Sequence, residues 1–333
     1  MENDDESMSN MKHGANIYKY AKKVGLKAEK IVDFSSNINF LQKQYDLHVN
    51  TKPYYEPTYK KLKNTLSKMY SIPQKQIALF NGASSVIMAL LYSLKEKEVT
   101  LYAPLFGEYE KASKDKNITL INRYTNLYAL PKKGSIVVFV NPATPDGKYY
   151  DLKKLFKIWK KQNCIVILDE SFLEFEEKQS YRSYISSYPE LYIIQSFSKF
   201  YGCAGVRIGA IFAKKKHLAK LPQPMWALSS FDVEFLLKRL RDSAFRKETI
   251  QKHEKQKKQL KKILERYFEV YESDANFFLV KNSYKKLFQK LLKQGILIRP
   301  CGSFDFLDDG YIRFAVKDEK SHKKLKKALR KIV

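Results

Sequence analysis

No apolar run in this 333-residue chain approaches the length of a bilayer crossing; the longest, at 136–140 and 165–168, are strand-sized. That excludes a helical membrane span. Its 3 cysteines, Cys164, Cys203 and Cys301, are far apart and form no metal-ligand pattern. They fit reduced thiols, and a cytoplasmic location is expected. The first ten residues carry Glu2, Asp4, Asp5 and Glu6, which argues against a targeting peptide and for a loose tail. There is no internal repeat, low-complexity linker, zinc-finger pattern, RNP motif or basic zipper. Arginine, the usual reader of bases, is scarce beside lysine.

What is abundant is positive charge, +27 net. Much of it lies in 252–262 and 323–331, where lysines alternate with Leu260, Ile263, Leu264, Leu325 and Leu329 at helical spacing. These are solvated faces of amphipathic helices. No nucleic-acid partner is expected from them, though the charge would help attract an anionic substrate. Hydrophobic residues make up 44% of the chain, enough for a large domain and a smaller one.

Short apolar segments at 77–80, 99–102, 136–140, 165–168, 191–194 and 210–212 alternate with helical patterns at 58–69, 84–94, 106–114 and 152–162. The alternation predicts an α/β fold, with a mostly parallel sheet between helices. From about 226 a charged helical stretch runs to 267. Candidate strands at 277–280, 296–299 and 311–315, a helix at 284–294 and a final helix follow, reading as a small α+β domain. The expected organisation is an N-terminal arm (1–40), a large domain (41–225) and a linking helix with the small domain (226–333).

In an open α/β sheet, ligands gather at the carboxyl ends of strands. The segment 191–194 is followed by Ser196-Phe197-Ser198-Lys199, with Arg207 eight residues beyond Lys199. Hydroxyls and a guanidinium around one amine fit a phosphate beside a reactive nitrogen, or a solvated lysine in a serine-rich turn. Asn81-Gly82-Ala83-Ser84-Ser85 opens a helix, either as an ordinary cap or as backbone donors for an anion. Asn141 to Gly147 forms a proline-rich turn presenting Thr144. Asp169 ends an apolar strand, where a carboxylate needs a partner: a backbone cap, an arginine or a protonated ring nitrogen. Arg299 and Arg313 lie in apolar strands, reading either carboxylates and phosphates or surface ion pairs.

Together Tyr54, Gly82-Ala83-Ser84, Phe106, Thr144, Asp169, Ser196-x-Ser198-Lys199, Arg207 and Arg313 resemble, in order, the fold-type I pyridoxal-phosphate (PLP) enzymes of the aspartate-aminotransferase-like family. Within it the chain resembles the branch of histidinol-phosphate aminotransferases and threonine-phosphate decarboxylases. The segments His13–Tyr18, Asp33–Asn39, Pro104–Tyr109 and Asp169–Phe175 are more similar to the decarboxylases. The resemblance implies a large PLP-binding domain with a seven-stranded-type sheet. It implies that Lys199 bonds the cofactor and later shuttles a proton, and that Asp169 keeps the ring nitrogen protonated. Ala83, Ser84, Ser196, Ser198 and Arg207 would hold the cofactor phosphate, and Phe106 would stack on the ring. Tyr54 would reach the neighbouring subunit's cofactor, so a homodimer with shared sites is implied. His13, Asn37, Arg299 and Arg313 would hold a phosphorylated amino-acid substrate. The family's Asn-Pro-Asn-Asn-Pro-Thr-Gly turn is Asn141-Pro142-Ala143-Thr144-Pro145-Asp146-Gly147 here, so Thr144 replaces the asparagine that bonds the ring oxygen. The implied activity is decarboxylation of a phosphorylated hydroxy-amino acid, or else amino transfer on the same scaffold. No metal is implied.

Overall fold

The computed structural model describes residues 14–176 and 178–332. Its strands, in chain order, are β1 (Val32–Asp33), β2 (Ile77–Phe80), β3 (Glu98–Ala103), β4 (Asn117–Asn122), β5 (Ile136–Val140), β6 (Ile165–Asp169), β7 (Leu191–Ser196), β8 (Gly209–Phe212), β9 (Glu269–Val270), β10 (Phe277–Lys281), β11 (Ile296–Leu297), β12 (Arg299–Pro300) and β13 (Tyr311–Ala315). Seven of them form the main sheet, in the order β2-β8-β7-β6-β5-β3-β4. Every pair from β7 to β4 is parallel, and β8 alone runs against its neighbours β7 and β2. The expected mostly parallel sheet is therefore present. Strands β2, β5, β6, β7 and β8 are buried along their whole length. This explains why they read as continuous apolar runs rather than alternating ones.

Hydrophobic side chains pack on both faces of this sheet, around Val137, Phe139 and Trp159 on one side and Leu90, Val138 and Ile167 on the other. Another core gathers Phe34, Leu260, Phe278, Leu291, Ile312 and Leu329 around a sheet ordered β12-β13-β10-β9. Tyr20, Ala21, Ile31 and Phe34 also join this core. Strand β1 pairs parallel with β11, and Ala315 N–H donates to the Phe34 carbonyl at 2.9 Å.

Several elements differ from the sequence reading. The helical stretch expected over 226–267 is two helices, Ser230–Arg241 and Ser243–Leu264. Asp242 separates them, its Oδ1 accepting from Phe245 N–H at 2.9 Å as an N-cap. The strand expected at 296–299 divides between two sheets, with β11 on β1 and β12 on β13. Strand β4 gave no apolar signal because it is an edge strand, paired to β3 alone, with polar and half-exposed positions. Among the described residues, no helix is long and apolar enough to cross a membrane, and no cluster of side chains could hold a metal ion.

Candidate active site

The reversed direction of β8 decides where the site lies. Its first residue, Gly209, sits opposite both Phe80, the last of β2, and Ser196, the last of β7. The start of β8 therefore shares one sheet edge with the ends of β2, β5, β6 and β7. A cavity of about 820 Å³ opens there, lined by Asn37, Ala83, Ser84, Phe106, Thr144, Asp169, Ser196, Ser198, Lys199, Arg207, Arg299 and Arg313. Of the residues expected to hold cofactor or substrate, His13 and Tyr54 are not among these. His13 lies outside the described residues. Tyr54 is 76% exposed and stacks on Trp226, with ring centroids 4.3 Å apart, away from its own chain's cavity.

Ala83 and Ser84 begin the helix Gly82–Ser93, whose first turn has no side-chain cap. Its backbone donors therefore remain available to an anion. Glycine is required beside them twice. Gly82 has φ +77°, and a Cβ on it would lie 2.6 Å from Arg207 Nη2. A Cβ on Gly209 would lie 2.5 Å from the Ala83 nitrogen. Arg207 itself is exposed, and its Nη1 donates to the Ala204 carbonyl at 3.1 Å.

Lys199 follows β7, and its carbonyl accepts from Asn39 N–H at 3.0 Å, tying the arm to the lysine loop. Burial, reinforced by Arg313 and opposed by Asp169, pulls its amine down to about 8. At neutral pH a useful fraction of it is unprotonated. Capture of a carbonyl cofactor by the unliganded protein should accelerate as pH rises through about 8 and level off above it. Rapid-mixing absorbance across pH 6–10 measures this; a rise continuing to pH 10 would show an unperturbed lysine.

Asp169 ends β6 and is buried, which raises its pKa, while Ser171 and Tyr109 oppose the rise. The Tyr109 hydroxyl donates to Oδ2 at 2.8 Å and Ser171 N–H to Oδ1 at 2.9 Å. Ser171 Oγ in turn accepts from Ser196 N–H at 3.0 Å. Tyr109 and Ser171 are functional neighbours the sequence reading did not assign. The signal for Tyr109 was its place three residues after Phe106. Tyr109→Phe should raise the Asp169 pKa further, so the cofactor is released at higher pH on acidification. A hydrogen bond to a charged group contributes about 1.5–3 kcal/mol, so affinity should fall roughly tenfold or more. Cofactor titrations at several pH values test this, and an unshifted acid limb would show that Tyr109 does not support Asp169.

Arg299 and Arg313 are direct cross-strand partners in β12 and β13, both buried. Like charges opposite each other in a sheet destabilise it. Arg313 donates from Nη1 to Thr144 Oγ1 at 3.1 Å and from Nη2 to the Ser35 carbonyl at 3.0 Å. Its Nε is buried without an acceptor, and among the described residues no carboxylate is within ion-pair reach of it. Burial lowers its pKa to about 10. Arg299 donates to the Pro300 carbonyl at 2.8 Å and to Ser303 Oγ at 3.1 Å, with its guanidinium 5.0 Å from the Phe304 ring centre. The Thr144 hydroxyl, expected to face the cofactor ring, is thus already engaged by Arg313.

The Ser35–Asn37 loop is held from several sides. Asp33 Oδ1 accepts from Ser35 N–H at 2.8 Å and from Ser35 Oγ at 2.5 Å. Lys317 Nζ donates to the Ser36 carbonyl at 2.7 Å, and Asn276 Nδ2 to the Asn37 carbonyl at 2.7 Å.

A half-buried amine with a lowered pKa, a carboxylate on the adjoining strand and an uncapped helix start whose glycine has no room for a Cβ meet the needs of a phosphate-bearing carbonyl cofactor. Such a fold and site define the fold-type I PLP enzymes. Residues 14–332 match the family described as aminotransferase class I and II, and the chain belongs to that family, with pyridoxal 5′-phosphate as cofactor. It is 27% identical to the adenosylcobalamin biosynthesis bifunctional protein CobDQ of Leptospira interrogans over 94% of the chain. The chain spans about 40% of that relative's length. The solved histidinol-phosphate aminotransferase of Clostridium acetobutylicum superposes with TM-score 0.80 at 27% identity, covering 90% of this chain and 98% of that one. The L-threonine-O-3-phosphate decarboxylase of Porphyromonas gingivalis shares the fold, with TM-score 0.71 at 22% identity, covering 84% and 90%.

Proposed function

We propose that this chain is a PLP-dependent decarboxylase of a phosphorylated hydroxy-amino acid, L-threonine O-3-phosphate or L-serine O-phosphate. The products are CO2 and aminopropanol phosphate or ethanolamine phosphate. The observation that carries the reading is the cross-strand placement of Arg299 and Arg313, two buried guanidiniums facing one cavity. A substrate bearing both a carboxylate and a phosphate matches that pair. The segments Asp33–Asn39 and Asp169–Phe175 and the relationship to CobDQ favour the decarboxylase branch and a cobamide-linker product.

When bound, the cofactor withdraws the electron pair released from a bond to the substrate's α-carbon. The protein's contribution is placement. Ala83, Ser84, Ser196, Ser198 and Arg207 would hold the cofactor's phosphate end, Phe106 would pack on its ring, and Asp169 would keep its ring nitrogen protonated. Arg313 and Arg299, with Asn37 and His13, fix the substrate's two anions, so that the carboxylate rather than the α-hydrogen is aligned for cleavage. Lys199 in its ammonium form then gives a proton to the α-carbon and is left as the neutral amine. The exposed Tyr54 serves the partner's site in a homodimer. One methyl group separates the two substrates, worth about 1–3 kcal/mol of discrimination.

Amino transfer from histidinol phosphate is the second reading, favoured by the Clostridium acetobutylicum relative, which the chain matches over nearly its full length. Mass spectrometry of products separates the two. PLP-loaded protein is mixed with L-threonine phosphate or L-serine phosphate, without an oxo acid. Catalytic loss of CO2 supports the decarboxylase. No product, followed by amino transfer once histidinol phosphate and 2-oxoglutarate are added, establishes the aminotransferase.

A further inference from the structure

We propose that the buried Arg123–Asp146 ion pair is a positioning clamp that holds the two loops carrying Phe106 and Thr144 into the cofactor cavity. The proposal rests on the PLP reading of that cavity, not on which substrate it turns over. Arg123 directly follows β4 and is 3% exposed; Asp146 is 4% exposed. Their contact is bidentate, Nη2 to Oδ1 at 2.6 Å and Nη1 to Oδ2 at 2.8 Å. The remaining donors are also used. Nε reaches the Pro104 carbonyl at 3.2 Å and Nη2 the Thr144 carbonyl at 3.2 Å. Nη1 also reaches the Tyr150 hydroxyl at 3.0 Å and Nη2 the Tyr124 hydroxyl at 3.3 Å. The Arg123 N–H itself donates to the Ala103 carbonyl at 3.0 Å.

One guanidinium thus bonds the loops that follow the neighbouring strands β3 and β5, beyond their last paired residues, Leu101 and Val138. Pro104 lies two residues before Phe106. Thr144 turns its hydroxyl to Arg313, so the same clamp extends to the anion-binding arginines. Burying this pair costs desolvation, and an apolar pair can pack as well. What apolar side chains cannot do is bond two loop carbonyls at once. Asp146 also stands where the family turn has threonine, two residues beyond the Thr144 departure. Both changes fall in one turn: Asp146 fixes Arg123, and Arg123 fixes the Thr144 backbone.

The test uses PLP-loaded protein without substrate. Its readouts are visible circular dichroism of the bound cofactor and cofactor affinity. In the paired variant Arg123→Met with Asp146→Thr, both charges leave together. The folded variant should lose at least about half the dichroism and bind cofactor roughly tenfold more weakly, as loss of outer supports does at metal sites. If that variant does not fold, Arg123→Lys decides. It keeps a cation beside Asp146 but cannot reach both carbonyls. Reduced dichroism at an unchanged melting temperature supports the clamp. Wild-type dichroism and affinity in either folded variant overturn it. Failure of the wild-type protein itself to take up PLP would remove the cofactor reading and the clamp with it.

Discussion

Replacing Lys199 with alanine should leave a protein that folds, binds PLP reversibly and turns over nothing measurable. In the proposed reaction the Lys199 amine, just beyond the end of β7, bonds the cofactor covalently and also gives the proton to the α-carbon. Positioned proton transfer alone contributes about 10²–10⁴-fold, and loss of the covalent link adds to that. The variant's visible absorbance should match noncovalently bound PLP, and dialysis should remove it. Folding should survive, because burial of a depressed lysine beside Arg313 and Arg207 gives the native state no ionic gain. Retained turnover together with the wild-type spectrum would end the assignment of Lys199.

The second large effect falls on Arg313. Arg313→Ala removes a buried guanidinium that bonds Thr144 and Ser35 and keeps one donor without an acceptor. Losing one partner of a buried charged contact costs about 2–5 kcal/mol. The value of kcat/KM should therefore drop roughly thirtyfold to several-thousandfold, with cofactor still bound. The unliganded protein should respond in the opposite direction. Arg313 faces Arg299 across two strands, so Arg313→Met relieves a like-charge contact and should raise the melting temperature. A variant less active and more stable marks a residue retained for its ligand. An unchanged kcat/KM would take Arg313 out of the site.

Much of this site could be read from the order of residues, because its parts sit where strands stop. Asp169 and Ser196 each end a strand, and Thr144, Ala83 and Lys199 each follow one closely. A buried parallel strand is an unbroken apolar run, so its end is visible as the first polar residue. What stayed hidden was lateral. Nothing in the sequence pairs Tyr109 with Asp169, 60 positions away, or Arg123 with Asp146, because neither contact follows a helical or strand period. Arg299 and Arg313 each stand out as a charge in an apolar strand, yet their register as direct partners needed the fold. Strand β4 escaped for a different reason: an edge position relaxes the demand for apolar residues, and its composition shows it.

The antiparallel strand β8 also has a consequence for the order in which the protein becomes competent. It is the last strand of the main sheet to be made, yet it inserts between β2, near the beginning, and β7, just before it. Until residues 209–212 emerge, β2 has no neighbour in the sheet, and the helix start at Ala83 lacks both Gly209 and Arg207. A nascent chain that already carries Lys199 and Asp169 would therefore still lack part of the proposed phosphate seat. On that reading, cofactor uptake during synthesis would wait for this one short strand, and the ligand would then add its binding free energy to a sheet that has just closed.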